Sequence, residues 1–221
     1  MLELINISKR YKDKWVLKDI YMKLNEERCV GILGVNGSGK TTLLSILAGV
    51  LKPNSGKVMY SDADLLKNQT LRRKLIAYIP QKSPLIEELN ALDNLKLWYD
   101  KEELKKEISS GVISLLGVDE FLKKPVSALS MGMKKRLSIA CAVASKPKIL
   151  LMDEPSAYLD IICKADIHRY ISEHKRQGGS IILVSHDVGD FTVCDEHYVL
   201  KSGVLSPFEY KDNVDELIKK L

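Results

Sequence analysis

Long apolar runs are missing from this chain. Hydrophobic residues make up 45% of its 221 positions, yet no stretch approaches the roughly 18–20 apolar residues that a bilayer-spanning helix needs. The opening MLELINISKR also lacks the basic-then-apolar pattern of a secretory leader. A soluble, intracellular chain is expected. Cysteine is scarce and scattered: Cys29, Cys141, Cys163 and Cys194 form no C-x-x-C pair, so metal spacing is absent and buried free thiols are expected. Charge of one sign is in only slight excess, +5 overall and spread along the chain, which does not make a nucleic-acid binder. The densest clusters, KEELKKE (101–107) and KKRL (134–137), read as exposed helix faces. Low-complexity linkers, internal repeats and composition breaks are lacking too. One domain over residues 1–221, with room for a subdomain, is expected.

What is present is an alternation of short apolar runs with helical stretches. LELINIS (2–8) has period two and reads as an edge or half-buried strand. RCVGILG (28–34), KILLMD (148–153) and SIILVS (180–185) are dense apolar runs, as strands covered on both faces are. KVMY and KLIAYIP also read as strands. GKTTLLSILAGVL carries its leucines on one helical face. Residues 85–125 look helical, most clearly over KEELKKEISSGVISLLG, and DIICKADIHRYISEHKRQGG reads as a helix stopped by two glycines. The pattern predicts an α/β chain with a mainly parallel sheet covered on both faces. In such sheets ligands bind beyond the carboxyl ends of the strands.

Three strand ends carry chemistry. After the first dense run comes GVNGSGKTT, which fits G-x-x-x-x-G-K-S/T with Gly34, Gly39, Lys40 and Thr41; Asn36, Gly37, Ser38 and Thr42 complete the loop. Glycines let backbone N–H groups curl around a phosphate chain, and the following helix turns its positive end to the same charge. Lys40 would reach the β- and γ-phosphates of a nucleotide, and Thr41 would offer its hydroxyl to Mg²⁺. After KILLM comes Asp153–Glu154–Pro155. A carboxylate ending a buried strand is costly unless paired or metal-bound, which makes Asp153 a candidate Mg²⁺ partner and Glu154 a candidate to polarise an attacking water. After SIILV comes Ser185–His186–Asp187, with His186 a candidate γ-phosphate contact. The plainer alternatives are a glycine turn, a helix-capping acid pair and a packing histidine. Three strand ends converging on one place favour a shared site.

The order of motifs is specific: the phosphate loop, Gln81 after a strand in YIPQ (78–81), L-S-x-G-x in ALSMGMKKRL (128–137), the strand with Asp153–Glu154, S-x-x-L-D in SAYLD (156–160), and the strand with His186. This order resembles ABC-type ATPases from Tyr11 to about Gly203. The resemblance implies a P-loop NTPase core with a mainly parallel sheet, an antiparallel β edge and an inserted α-helical subdomain at about 82–145. It implies that Tyr11 stacks on adenine with Val16 nearby, that Gln81 touches metal or water and senses a membrane partner, and that SAYLD communicates across a dimer. It also implies that Ser130 and Gly132 press on the γ-phosphate held by a second copy or a homologous ATPase, so that two ATP molecules are sandwiched head to tail. Met133 stands where glutamine is usual and Met131 where the first glycine is usual. A positive φ at 131 would cost roughly 1–2 kcal/mol, and a modest penalty is expected.

The activity implied is ATP hydrolysis with Mg²⁺, energising a separately encoded permease from the cytoplasmic face of the membrane. IPQKSPLIEELNALDNLKL (79–97) resembles the stretch found in exporter-type ATPases, and Leu85, Ile86, Leu89 and Leu95 either line a groove for a permease helix or are simply core of the subdomain. A soluble ABC-type ATPase acting on ribosomes or DNA is the alternative, followed by a non-hydrolysing scaffold. A small-molecule kinase would leave L-S-x-G-x, S-x-x-L-D and His186 unexplained.

Overall fold

The computed structural model describes residues 1–157 and 159–210. The chain begins with β1 (Leu2–Tyr11), β2 (Lys14–Leu24) and β3 (Cys29–Leu33), followed by α1 (Lys40–Ala48). Next come β4 (Ser55–Tyr60), β5 (Ala63–Asp64), α2 (Gln69–Leu75) and β6 (Ile76–Ile79). A helical stretch contains α3 (Ala91–Lys96), α4 (Lys101–Ser110), α5 (Val112–Leu115) and α6 (Met131–Ala142). The chain then runs through β7 (Ile149–Asp153), α7 (Ile161–Arg176), β8 (Ser180–Ser185), β9 (Glu196–Lys201) and β10 (Val204–Pro207). An antiparallel sheet has the order β2-β1-β4-β5, and a six-stranded sheet the order β10-β9-β3-β8-β7-β6. In the larger sheet every pairing is parallel except that of β9 with β10.

The central strands β3, β7 and β8 are buried at every position, because each face has its own cover. Alternate side chains enter different cores. Leu150, Met152, Ile181 and Leu183 pack with Leu137, Ile139 and Ala140 of α6 and Ile167 and Ile171 of α7. Val30, Ile32, Leu151, Ile182 and Val184 pack with Leu43, Leu44 and Leu47 of α1 and with Leu4, Ile7 and Met22 of the antiparallel sheet. The helices end where their caps dictate. Gly49, at φ +78, gives its N–H to Ile46, and the Asp160 carboxylate starts α7 by accepting the Cys163 N–H at 2.8 Å.

Four expectations are narrowed or corrected. LELINIS is the half-buried strand of the two readings and not an edge, since β1 pairs with both β2 and β4. KEELKKEISSGVISLLG is two helices: Gly111 is extended, and Glu107 takes the Val112 N–H at 2.7 Å, which starts α5 afresh. KKRL is not an exposed face, because Lys135 and Arg136 turn inward. Arg136 donates to the Leu116 carbonyl and Asp166. Leu95 is fully buried, and Leu85 packs against the same core, so of the expected groove residues only Ile86 is well exposed. All four cysteines are free thiols, with Cys194 only partly buried. No described helix is long and apolar enough to cross a membrane.

His174 on α7 is 8% exposed. Its ring lies against Gly179, where an added Cβ would come within 2.2 Å of Nε2. Burial strips water from the imidazolium and lowers its pKa from 6.5 to about 4. The unfolded chain therefore takes up a proton near pH 6.5 that the folded chain refuses until about 4. This contribution to stability is complete above the upper value and is lost as pH falls through the interval, by up to about 3 kcal/mol. Urea unfolding of His174→Gln should show a shallower loss than wild type across that window. Parallel curves for the two proteins would remove His174 as the cause.

Candidate active site

The parallel register brings the candidate loops to one level. Leu33 pairs with Ser185 and Asp153 with Val184, so β3, β7 and β8 end together. Beyond β3 the chain turns through Gly37 (φ +78) and Gly39 (φ +110) into α1. A Cβ at Gly39 would lie 2.9 Å from Val16 Cγ1, so the loop fits under β2 only with glycine there. Lys40 folds back and donates to the carbonyls of Gly34 at 2.6 Å and Val35 at 3.3 Å. Its Nζ also stands 3.7 Å from Glu154 Oε1, with both side chains at most 7% exposed.

Glu154 is the centre of the arrangement. Its φ of +49 is a left-handed conformation that a non-glycine residue adopts at a cost, and its N–H is fixed to the Val184 carbonyl at 2.9 Å. Its Oε2 lies 2.7 Å from His186 Nδ1 and accepts the His186 N–H at 3.2 Å. His186 is half exposed, so it spans from the buried carboxylate to solvent. Asp153, beside it, accepts the Tyr78 hydroxyl at 3.1 Å through Oδ2. Burial pushes its carboxyl up and nearby Glu154 adds to this, against the pull of the Thr41 and Tyr78 hydroxyls and of Lys40.

Tyr11, Val16, Asn36, Gly37, Gly39, Lys40, Thr41, Thr42, Gln81 and Glu154 line one cavity of about 370 Å³. All ten are candidates from the sequence. A larger cavity, about 670 Å³, lies on the far side, between α4, α5 and α7; it contains none of them. Three side-chain oxygens near the smaller cavity are buried without a hydrogen-bond partner among the described residues: Ser38 Oγ, Asp153 Oδ1 and Ser156 Oγ. An orphaned hydroxyl in the phosphate loop, Ser38, can donate to a phosphate group, and the orphaned Asp153 oxygen fits a hard cation, for which Thr41, Asp153 and Gln81 offer oxygen ligands.

Ser130 and Gly132 are not brought into the cavity. Ser130 caps α6, accepting the Met133 N–H at 3.2 Å, and is exposed. Gly132 is buried against α7, and a Cβ there would come within 2.5 Å of Cys163 Sγ. Met131 corrects an expectation: it is the first residue of α6, lies outside the positive-φ region and is 63% exposed. The ground for a backbone penalty is absent.

Two neighbours of the site carry no signal in the sequence. Tyr78 is, by its pattern, only part of a strand. Lys135 stands in a basic run that reads as solvated, yet it is 4% exposed and donates to the carbonyls of Pro80 and Gln81 at 2.9 Å each. Burial lowers its pKa to about 8, against the opposing charges of Asp153 and Glu154. It ties α6 to the Gln81 loop.

A phosphate loop, an acidic strand end and a histidine on the next strand, with a helical stretch between β6 and β7, define a nucleotide-binding α/β protein. The family model described as "ABC transporter" matches residues 17–157, and the chain belongs to that family. It is 34% identical over 214 residues to the uncharacterized ABC transporter ATP-binding protein YybJ of Bacillus subtilis, covering 95% of this chain and 96% of that one. It is 35% identical over 209 residues to the spermidine/putrescine import ATP-binding protein PotA of Mesoplasma florum, covering 92% of this chain. The chain spans only 59% of the length of that relative. With the lipopolysaccharide export system ATP-binding protein LptB of Escherichia coli K12 the identity is 30%, over 90% of this chain and 86% of that one. Among solved structures, the dimeric ATP-binding cassette MJ0796 in a post-hydrolysis state bound to ADP and Pi matches with a TM-score of 0.84 and 26% identity, over 95% of this chain and all of that one.

Because Met131 is helical, Met131→Gly should lower stability by up to about 1 kcal/mol and leave turnover no higher than wild type. Urea midpoints and ATPase assays on the two proteins check this. A stabilised or faster variant would restore the backbone-penalty view.

Proposed function

We propose that the chain is the ATP-binding and ATP-hydrolysing subunit that energises a separately encoded membrane permease, working on the cytoplasmic face of the membrane. The carrying observation is the cavity of about 370 Å³, where Lys40 and His186 hold the buried Glu154 from two sides. In this reading the Gly34–Thr42 loop and Lys40 bind the phosphates, and Tyr11 and Val16 receive the base. Glu154 draws the proton of an attacking water, and His186 steadies the γ-phosphate. Mg²⁺, held by Thr41, Asp153 and Gln81, neutralises phosphate charge when bound. The reading takes residues 1–221 as one ATPase domain, of which 158 and 211–221 lie outside the described residues; its helical insert, about 82–145, presents Ser130 and Gly132 to the nucleotide of a second subunit. The stretch after Gln81 favours export. That MJ0796 was solved as a dimer supports a second ATPase subunit as partner.

Removing the lysine leaves phosphate charge uncompensated in a low-dielectric pocket. Lys40→Ala should cut Mg·ATP turnover roughly 10²–10³-fold with the circular dichroism spectrum unchanged. Full turnover in that variant would refute the assignment of the loop.

Glu154→Gln keeps the size of the side chain and removes the base. Its hydrolysis should fall by roughly 10²–10⁴-fold while ATP still binds, and ATP-loaded dimers should accumulate. Light scattering that finds only monomer with ATP would contradict the sandwich.

A further inference from the structure

Asp160, the last residue of SAYLD, caps α7, which runs past the loop that carries His186. Two of its side chains, one turn apart, grip that loop. Lys164 pairs with Asp187, and His168 Nε2 lies 2.9 Å from Asp190 Oδ1. Against burial, which works the other way, the Lys164 ammonium and the Gly189 N–H hold the Asp187 carboxyl below its usual range.

Asp190 is only 1% exposed, and both its oxygens are engaged. Oδ1 faces α7, while Oδ2 accepts the Ser185 hydroxyl at 2.7 Å. That hydroxyl in turn accepts the Asp187 N–H at 2.9 Å. Ser185 has one proton to give. Its two acceptors are Asp190 Oδ2 at 2.7 Å and Glu154 Oε2 at 3.5 Å, and the nearer one takes it. Glu154 Oε2 is thereby left to His186.

We propose that Asp190 is a positioning residue for hydrolysis: it anchors the Glu154–His186 pair to α7, so that the SAYLD end of that helix and the histidine loop are set together. The proposal rests on the reading of Glu154 and His186 given above. None of Lys164, His168, Ser185, Asp187 or Asp190 lines the nucleotide cavity. Loss of the anchor therefore acts on the reacting pair and not on ATP binding.

Asparagine at 190 keeps the shape but cannot accept from both His168 and Ser185, since one of its two ends is a donor. In Asp190→Asn, kcat should fall about tenfold with KM for ATP within about twofold of wild type, the split expected when only the transition state is affected. His168→Leu should reproduce the fall, and His168→Gln should restore it, because the amide can still donate to Oδ1. The Asp190→Asn, His168→Leu double variant should be no slower than Asp190→Asn alone, since both act through one contact. His168 lies at the helix surface, 21% exposed, so its pair of variants decides the matter if Asp190→Asn does not fold. Wild-type turnover that persists in Glu154→Gln overturns the underlying reading and this proposal with it. Where Glu154→Gln is inactive, unchanged kcat in His168→Leu, or a loss that appears wholly in KM, overturns the role of Asp190 alone.

Discussion

Burying a carboxylate removes it from water at a cost of several kcal/mol unless cationic or hydrogen-bonding partners replace the solvent. Glu154 is such a carboxylate, and its partners come from the ends of the two strands beyond its own, β3 and β8. Lys40 reaches it from the loop after β3, His186 from the end of β8, and the Val184 carbonyl pins its backbone. None of these contacts can form unless β3, β7 and β8 are in register. The parallel pairing of the central strands thus sets where charge can be placed, and the flanking helices exist to keep those strands dry.

The two cores divide this labour. One core joins the central sheet to α1 and the antiparallel sheet, and so sets the height of the phosphate loop under Val16. The other joins the opposite face to α6 and α7 and carries the helical insert. Lys135 of α6 ties the second of these cores to the loop after β6 through the Pro80 and Gln81 carbonyls.

Much of this was legible from residue order. The strands β3, β7 and β8 are unbroken apolar runs because both their faces are covered, and the candidate residues stand at or just beyond the end of each run. That the Gly34–Thr42 loop, Asp153, Glu154 and His186 would meet at one level was readable for the same reason. Long-range pairings were not. Lys135 sits in a basic run, and nothing near it in sequence reveals that two carbonyls more than fifty positions away receive its ammonium. The break at Gly111 depends on the Glu107 side chain outcompeting the backbone for the Val112 N–H. Methionine at 131 replaced a glycine of the usual pattern, and only the onset of α6 at that residue shows that the backbone there is helical.

The contact between Gly132 and Cys163 sets a shared volume. A single added carbon at 132 would meet the thiol at 2.5 Å, so the space beneath the α6 N-terminus belongs to one residue or the other. The two positions form one unit of inheritance: a side chain gained at 132 must be matched by one surrendered at 163. In descendants of this chain, drift at the cap of α6 is therefore paced by what the first turn of α7 can give up.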